Sequence, residues 1–502
     1  MTGLRPYGDG RADARRSAVT RIPVLRSRSP VAGLRRRSLR PPGVFAQSVA
    51  TTAPAGAMAS TPLLVIAAAG NGALWSFAIA AVVVGLVAAC ITVFARRMAA
   101  AGGLYSFTAQ GLGPGGAYAC AVAMVVGYGM LVAVTFAGVS WYGGALVARL
   151  AGGGDAFAAG VGVALVVVLA ITVAVGAVRG VRLAGRVMLV IEAVSIGLIL
   201  VVLVALALTT APGTPPAPVG AGSGSGLGGP GLGGIAVGVL PALAAFIGFD
   251  SAASLGVEAR RPFASIPRAI TTTAAVAAVL YLVATLVQLA TPGGAGRATS
   301  PTSGVPATVG DLSWASVGMD VGIVASFGAC ALAALNTLVR VLFSLAREGV
   351  APAALGRTHR RHLTPAVAVW VTVPVPAAVV VVGTAAGVAP ATVFGGLVAV
   401  ATLGFLAAYL LVCLAAPRFL ARIGELTGGV VVASVLASAA LVATVVVVVL
   451  HASAGLLITL AGLLVLGAGG WVVLRRRRGA ALRGMGVYDE TTTADVLAAG
   501  PR

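Results

Sequence analysis

Two carboxylates lie inside stretches of sequence that are otherwise apolar. Asp250 follows Gly248 and Phe249 in the run 231–257, and Glu192 lies in the run 187–210. A carboxylate near the middle of a bilayer costs roughly 2.5–3.5 kcal/mol on insertion scales, so each must face protein or a water-filled cavity rather than lipid. Such a group can neutralise a cation or take up and release a proton, and both residues are candidate proton-coupling groups. Glu192 has a second reading, as a carboxylate neutralised in place or paired near the membrane edge with an arginine such as Arg186. Gly248, two residues before Asp250, gives the backbone a point at which a helix can unwind; as a lone membrane glycine it would read instead as a helix-packing residue. Little else has the residue types for covalent or metal chemistry. Cys90, Cys120, Cys330 and Cys413 stand singly in apolar runs, and His359 and His362 sit among arginines with no acidic partner. Neither pattern has metal-ligand spacing, so no metal and no other cofactor is expected.

The elements that must hold these groups are membrane helices. Of 502 residues, 59% are apolar and 9% charged, against about 25% charged in soluble domains. The 34 basic residues, all arginine, outnumber 13 acidic ones for a net charge of +21. They fall at the ends of apolar runs rather than on a folded basic face, which points to the lipid bilayer and not to nucleic acid as the partner. Twelve apolar segments, at 43–68, 73–95, 115–148, 157–178, 187–210, 231–257, 267–290, 314–346, 366–388, 392–415, 428–450 and 455–474, are mostly near the 20-residue spanning length. Alternate loops collect the arginines: Arg96 and Arg97, then Arg260, Arg261 and Arg268, and so on to Arg475–Arg478, with only Arg149 and Arg297 on the other side. The positive-inside rule then predicts twelve crossings of a cell inner (plasma) membrane with both termini cytoplasmic. Residues 1–42 are expected to be a disordered Arg-rich cytoplasmic tail, their composition also matching an organelle transit peptide or an over-extended gene start, with 43–474 the membrane domain and 475–502 a second cytoplasmic tail. The uncharged Gly/Pro/Ser-rich stretch near 209–234 reads as a linker dividing the first five helices from those that follow.

Two segments carry breaks at matching places. The first contains TTAPAGAMASTP, where Pro54 removes an amide donor, Gly56 relaxes the dihedrals and Pro62 follows; taken alone this would be a proline kink. The sixth is interrupted near Gly248. Helices one and six open the two five-helix halves, and paired interruptions are the best sequence pointer to a transporter site at the bilayer midplane.

At these residues the chain resembles the amino acid, polyamine and organocation permease superfamily. RRMAAAGGLYSFTAQGLGP looks like that family's entry to helix three, FIGFDSAASLGVEARRPFASIPRAI its helix-six signature, and ALNTLVRVLFSLAREGVAPAALGRTHRRHLTP its helix-eight ending. The resemblance, from about Val44 to Phe419, implies an all-α polytopic membrane protein with a five-plus-five inverted repeat (43–210 and 231–415), discontinuous helices 1 and 6, and two additional helices at 428–474. It implies secondary-active, alternating-access transport of amino acids or small organic amines. It also implies a substrate site in which the helix-one backbone at Thr52, Ala53, Pro54, Ala55 and Gly56 takes a carboxylate. Carbonyls around Ala244, Ala245, Phe246, Ile247 and Gly248 would take an ammonium. Ala53-Pro54-Ala55-Gly56 departs from the common glycine-serine-glycine run by one amide. Ala244 stands where arginine and agmatine exchangers place tryptophan, which argues against that specificity; a site lined by Ala53, Ala55, Ala244 and Ala245, with no arginine in the central helix halves and Asp250 as the midplane charge, favours small neutral amino acids or a compact amine such as ethanolamine. Proton-coupled members are understood to place a lysine in helix five; with no lysine in this chain, a carboxylate carries the proton or substrates exchange without an ion, and Asp250 on the helix-six break is the first candidate, Glu192 the second.

The remaining polar positions have plainer expectations. Asp320 should be solvated near the outer end of helix eight, and Asn336 and Arg340 should brace the cytoplasmic gate. Tyr105, Phe107, Tyr128, Trp141 and Tyr142 are aromatics that can line a pathway, with interface anchoring the favoured reading for each. The competing function is a polytopic membrane enzyme of the lipid or isoprenoid transferase type, which would need clustered metal-binding carboxylates or a His/Asp pair at an interface.

Overall fold

The computed structural model describes residues 34–209, 232–290 and 313–486; the expected linker and most of both tails lie outside them. The described chain is helical, as a lipid-embedded backbone must be to pair its own amides and carbonyls. Its helices are α1 (Pro41–Thr52), α2 (Pro54–Ala69), α3 (Ala73–Ala95), α4 (Leu104–Gly138), α5 (Gly144–Ala151), α6 (Asp155–Arg179), α7 (Val181–Thr209) and α8 (Leu232–Phe246), followed by α9 (Pro262–Ala290), α10 (Ser313–Arg347), α11 (Ala366–Thr372), α12 (Pro374–Ala385), α13 (Pro390–Ile423), α14 (Gly428–His451), α15 (Ala454–Arg477) and α16 (Gly479–Arg483). Eleven stretches of the described residues are long and apolar enough to cross a membrane. The expectation of twelve counts 43–68 and 73–95 separately. Here they form one stretch, Pro41–Ala95, broken at Ala53 and by a 3-10 turn at Gly70–Gly72. Its 55 residues would extend about 80 Å as a straight helix, far more than one crossing of a ~30 Å core needs.

The third segment starts earlier than the expected residue 115. Helix runs on both sides of GLGPGG, and α4 carries non-helical dihedrals only at Gly113. The α4 helix packs extensively on α13, and the crossing depends on small residues: a Cβ on Gly404 would fall 2.8 Å from the Gly127 amide nitrogen. Around this pair, α1 packs on α7, α9 and α10, and α2 on α8, α9 and α10, so the broken first segment is central. The outer surface is lined by apolar side chains such as Trp75, Val82 and Val194, as lipid requires, and α15 buries none of its residues.

The end of the expected disordered tail is ordered. Leu34 is buried against Ala101, Val257 and Phe343. Leu39 pairs with Ala259 in a short parallel bridge, in which the Ser38 and Leu39 amides donate to the Glu258 carbonyl at 2.8 Å and Arg260 N donates to Leu39 O at 2.9 Å. Beneath this strap lies a buried ion pair, with Arg340 Nε donating to Glu258 Oε2 at 2.7 Å and Nη2 to Oε1 at 3.2 Å. Arg340 therefore ties α10 to the loop that follows the sixth segment.

Candidate functional site

The two breaks are built differently, and they meet. Thr52 ends α1, Ala53 takes left-handed dihedrals (φ 48°, ψ 53°) and Pro54 opens α2. The break itself has a local cause, because a residue before proline is pushed out of the right-handed helical region while proline suits a first helical turn; the left-handed dihedrals do not follow from that preference, which is for extended backbone. An alanine held left-handed costs about 1–2 kcal/mol, so packing must hold it. In the sixth segment α8 stops at Phe246, turns occupy 247–250, and a 3-10 helix runs Ser251–Leu255. Gly248 is at φ +91°, and a Cβ there would sit 2.6 Å from Thr51 Cγ2 and 2.8 Å from Thr51 O. The glycine thus serves as a helix interruption and as a packing contact at once. Ser48 Oγ donates to Phe249 O at 2.9 Å and Ser251 Oγ to Gln47 O at 3.2 Å, tying the breaks side by side. Thr52 to Gly56 and Phe246 to Gly248 are thereby brought together in a buried region, with Ala244 and Ala245 on the last turn of α8.

Restarting a helix leaves its first amides unpaired and its positive dipole end exposed. At α2 those amides already have partners. Ala55 N donates to Glu192 Oε1 at 3.0 Å, Gly56 N to Ser326 Oγ at 3.1 Å, and Ser326 Oγ in turn to the same Glu192 oxygen at 3.0 Å. Glu192 on α7 is completely buried, and its Oε2 has no hydrogen-bond partner among the described residues. The pairing with Arg186 does not form: Arg186 is exposed, while Glu192 faces inward. A carboxylate from the chain itself therefore lies where the resemblance places a substrate's carboxylate.

Asp250 is held differently. Tyr128 of α4 donates to Oδ2 at 2.8 Å and Tyr409 of α13 to Oδ1 at 2.7 Å, so each carboxylate oxygen has a donor and the group is wedged between helices. On the cation half, the Ala245 carbonyl accepts the Tyr281 hydroxyl at 2.8 Å, which occupies one of the two lone pairs of an expected ammonium acceptor. Over Gly56 lies the Phe327 ring, 3.2 Å from where a Cβ would be, within an aromatic group that includes Tyr142, Trp141 and Phe394. Trp141 and Tyr142 belong to a π-helical turn, Val139–Gly143, a feature that often marks functional sites.

Several expectations change here. Tyr105, Phe107 and Tyr128 are fully buried and so anchor nothing at the interface: Phe107 stacks on Phe94, and Tyr128 packs edge-on against Phe405 and bonds to Asp250. Asp320 is not solvated, since Arg149 Nη2 reaches its Oδ2 at 2.6 Å and only 2% of the residue is exposed. Ser326, Phe327, Tyr281 and Tyr409 went unnoticed in the sequence, where single hydroxyls and rings in apolar helices carry no distinguishing pattern.

Comparison with known proteins agrees with this architecture. The chain is 30% identical over 142 residues to a branched-chain amino acid permease of Bacillus subtilis (strain 168), a match covering 28% of this chain and 30% of that one. It is 28% identical over 321 residues to a branched-chain amino acid permease of Lactococcus lactis subsp. cremoris (strain MG1363), covering 60% and 66%. A methylthioribose transporter of Bacillus subtilis (strain 168) is 27% identical over 186 residues, covering 37% and 38%. Each match spans less than two thirds of the relative's length. The amino acid permease family model matches residues 43–464, and with most of its length inside that match, this multi-pass membrane protein belongs to the amino acid permease family.

Proposed function

We propose that the protein carries small or branched neutral amino acids across the membrane by alternating access, with the substrate held between the breaks at Ala53 and Gly248 and its uptake coupled to a proton on Glu192. The observation that supports this most is the set of α2 amides with a resident carboxylate on them. Those amides suit an anion, and an amino acid's carboxylate can take over the Ala55 and Gly56 donors from Glu192. The displaced glutamate, completely buried and with no cationic side chain among its hydrogen-bond partners, is then neutralised by taking a proton. Small side chains at Ala53, Ala55, Ala244 and Ala245 leave room for an aliphatic substrate, and two of the relatives above are named for branched-chain amino acids.

Uptake into proteoliposomes of labelled neutral L-amino acids tests the substrate class. Leucine, valine or alanine should enter, and the matching amines without a carboxylate should not compete. Competition by the amines alone, with no neutral amino acid transported, would overturn the reading.

Asp250 is assigned a structural role on this reading, reversing the order of candidates suggested by sequence. Replacing it with asparagine presents an NH2 to one of two tyrosine donors, and leaving a buried hydrogen-bonding group unpaired costs about 1–3 kcal/mol. Asp250→Asn should therefore lower the unfolding temperature of the purified protein while keeping its pH-driven accumulation ratio. An asparagine variant as stable as the parent but unable to concentrate substrate would return the coupling role to Asp250.

A further inference from the structure

Between the start of α1 and the start of α9 a cleft of about 310 Å³ opens on the face that the arginine distribution assigns to the cytoplasm. Pro41, Phe45 and Ala264 form apolar walls, and Arg261 and Arg268 supply the charge. No carboxylate lines the cleft, and among the described residues neither guanidinium has an ion-pair or hydrogen-bond partner. The nearest acidic residue in sequence, Glu258, is spent on Arg340. The hydroxyl of Thr272 is likewise turned to the Arg268 carbonyl, leaving the two guanidiniums as the donors available to a ligand.

What distinguishes this cleft from a solvated basic surface is the helix face it belongs to. Arg268 lies on the side of α9 that continues at helical spacing through Val276, Val279, Val283 and Leu286, all exposed. On a membrane-spanning helix, large apolar side chains left uncovered by protein meet acyl chains. An anion seated on Arg261 and Arg268 is thus placed directly above a lipid-facing stripe. Basic pockets between transmembrane helices at this level bind anionic headgroups, and Arg offers the planar donor fork that phosphate accepts.

We propose that this cleft is a binding site for the phosphate headgroup of an anionic phospholipid such as phosphatidylglycerol, its chains lying along α9. The site also adjoins the strap formed by Leu39 and Ala259. Arg261 directly follows the segment that bridges to Leu39, and Pro41 and Phe45 belong to the first turns of α1. A headgroup here fastens the loop after the helix-six break to the base of α1, which favours the closed arrangement of the strap.

The test is lipid retention and stabilisation, neither of which depends on what the protein transports. In native mass spectrometry the parent should retain phosphatidylglycerol, Arg261→Gln/Arg268→Gln should lose it by about tenfold or more, and Arg261→Lys/Arg268→Lys should recover most of it. Phosphatidylglycerol added to zwitterionic micelles should raise the parent's unfolding temperature and leave that of the glutamine double variant unchanged, while phosphatidylcholine and inorganic phosphate should shift neither. Equal retention and stabilisation in the glutamine double variant would overturn the site. Stabilisation of the parent by inorganic phosphate as strong as that by the lipid would overturn the assignment to a phospholipid.

Discussion

Proteoliposomes carrying Glu192→Gln should exchange internal for external amino acid at close to the parent rate, yet fail to concentrate it when the outside is made acidic. The substitution is nearly isosteric, and a glutamine Oε1 can still accept from Ala55 N and Ser326 Oγ, the two donors that Glu192 Oε1 now holds at 3.0 Å. Occupancy of the α2 amides is therefore preserved, and what is lost is the ability to leave them carrying a proton. One pH unit corresponds to about 1.4 kcal/mol per proton, which sets an accumulation of about tenfold for a one-to-one symport. The parent should reach that ratio and the variant should stay near unity. The titratable groups facing Glu192 from neighbouring helices, Tyr281 of α9 and Cys330 of α10, are neutral types near pH 7 and offer no substitute carboxylate. Glu192→Gln vesicles that still accumulate about tenfold per pH unit would remove Glu192 from the coupling step.

That prediction also marks where reading the sequence stopped. The membrane class, the helix segments and the two interruptions were legible because each follows from local chemistry: apolar runs of spanning length, a proline that cannot continue a helix, a glycine beside a carboxylate. The permease family followed from strings of residues in order, and with it the conclusion that this is a transporter and not an enzyme. Partners separated by long stretches of chain were not legible. Ala55 and Glu192 are 137 positions apart and Tyr409 and Asp250 are 159 apart, and no local pattern announces either bond. Asp250 is the first coupling candidate in the sequence because it sits on a break, whereas the fold gives both its oxygens tyrosine donors. Glu192 looked peripheral by its distance from the segment end, whereas α7 packs on α1 and turns it onto the other break. Burial of Asp320 and Tyr128 was hidden for the same reason, since depth estimated along one helix says nothing about which neighbour covers it.

The strap and the Arg340 pair make the second large prediction. Arg340 and Glu258 are each about 95% or more buried, with a two-pronged contact between them. Such a pair adds little net stability over an apolar replacement, because desolvating both charges offsets their attraction, but removing one member strands the other and costs about 3–5 kcal/mol. Arg340→Met should therefore unfold well below the parent in detergent, and the double variant Arg340→Met/Glu258→Met should recover most of the loss. The position of the pair adds a functional signature. Glu258 also presents its carbonyl to Ser38 and Leu39, so the loop after the helix-six break, α10 and the segment leading into α1 share one fastening. Breaking it with Arg340→Met should expose this face, and a cysteine introduced at Ala101, now fully buried, should react with a membrane-impermeant thiol reagent at least several times faster than in the parent when the reagent is applied from that side. A double variant as unstable as Arg340→Met would show that packing around Arg340, rather than the stranded Glu258 charge, accounts for the loss. Unchanged labelling at Ala101→Cys would mean that the strap holds without the ion pair.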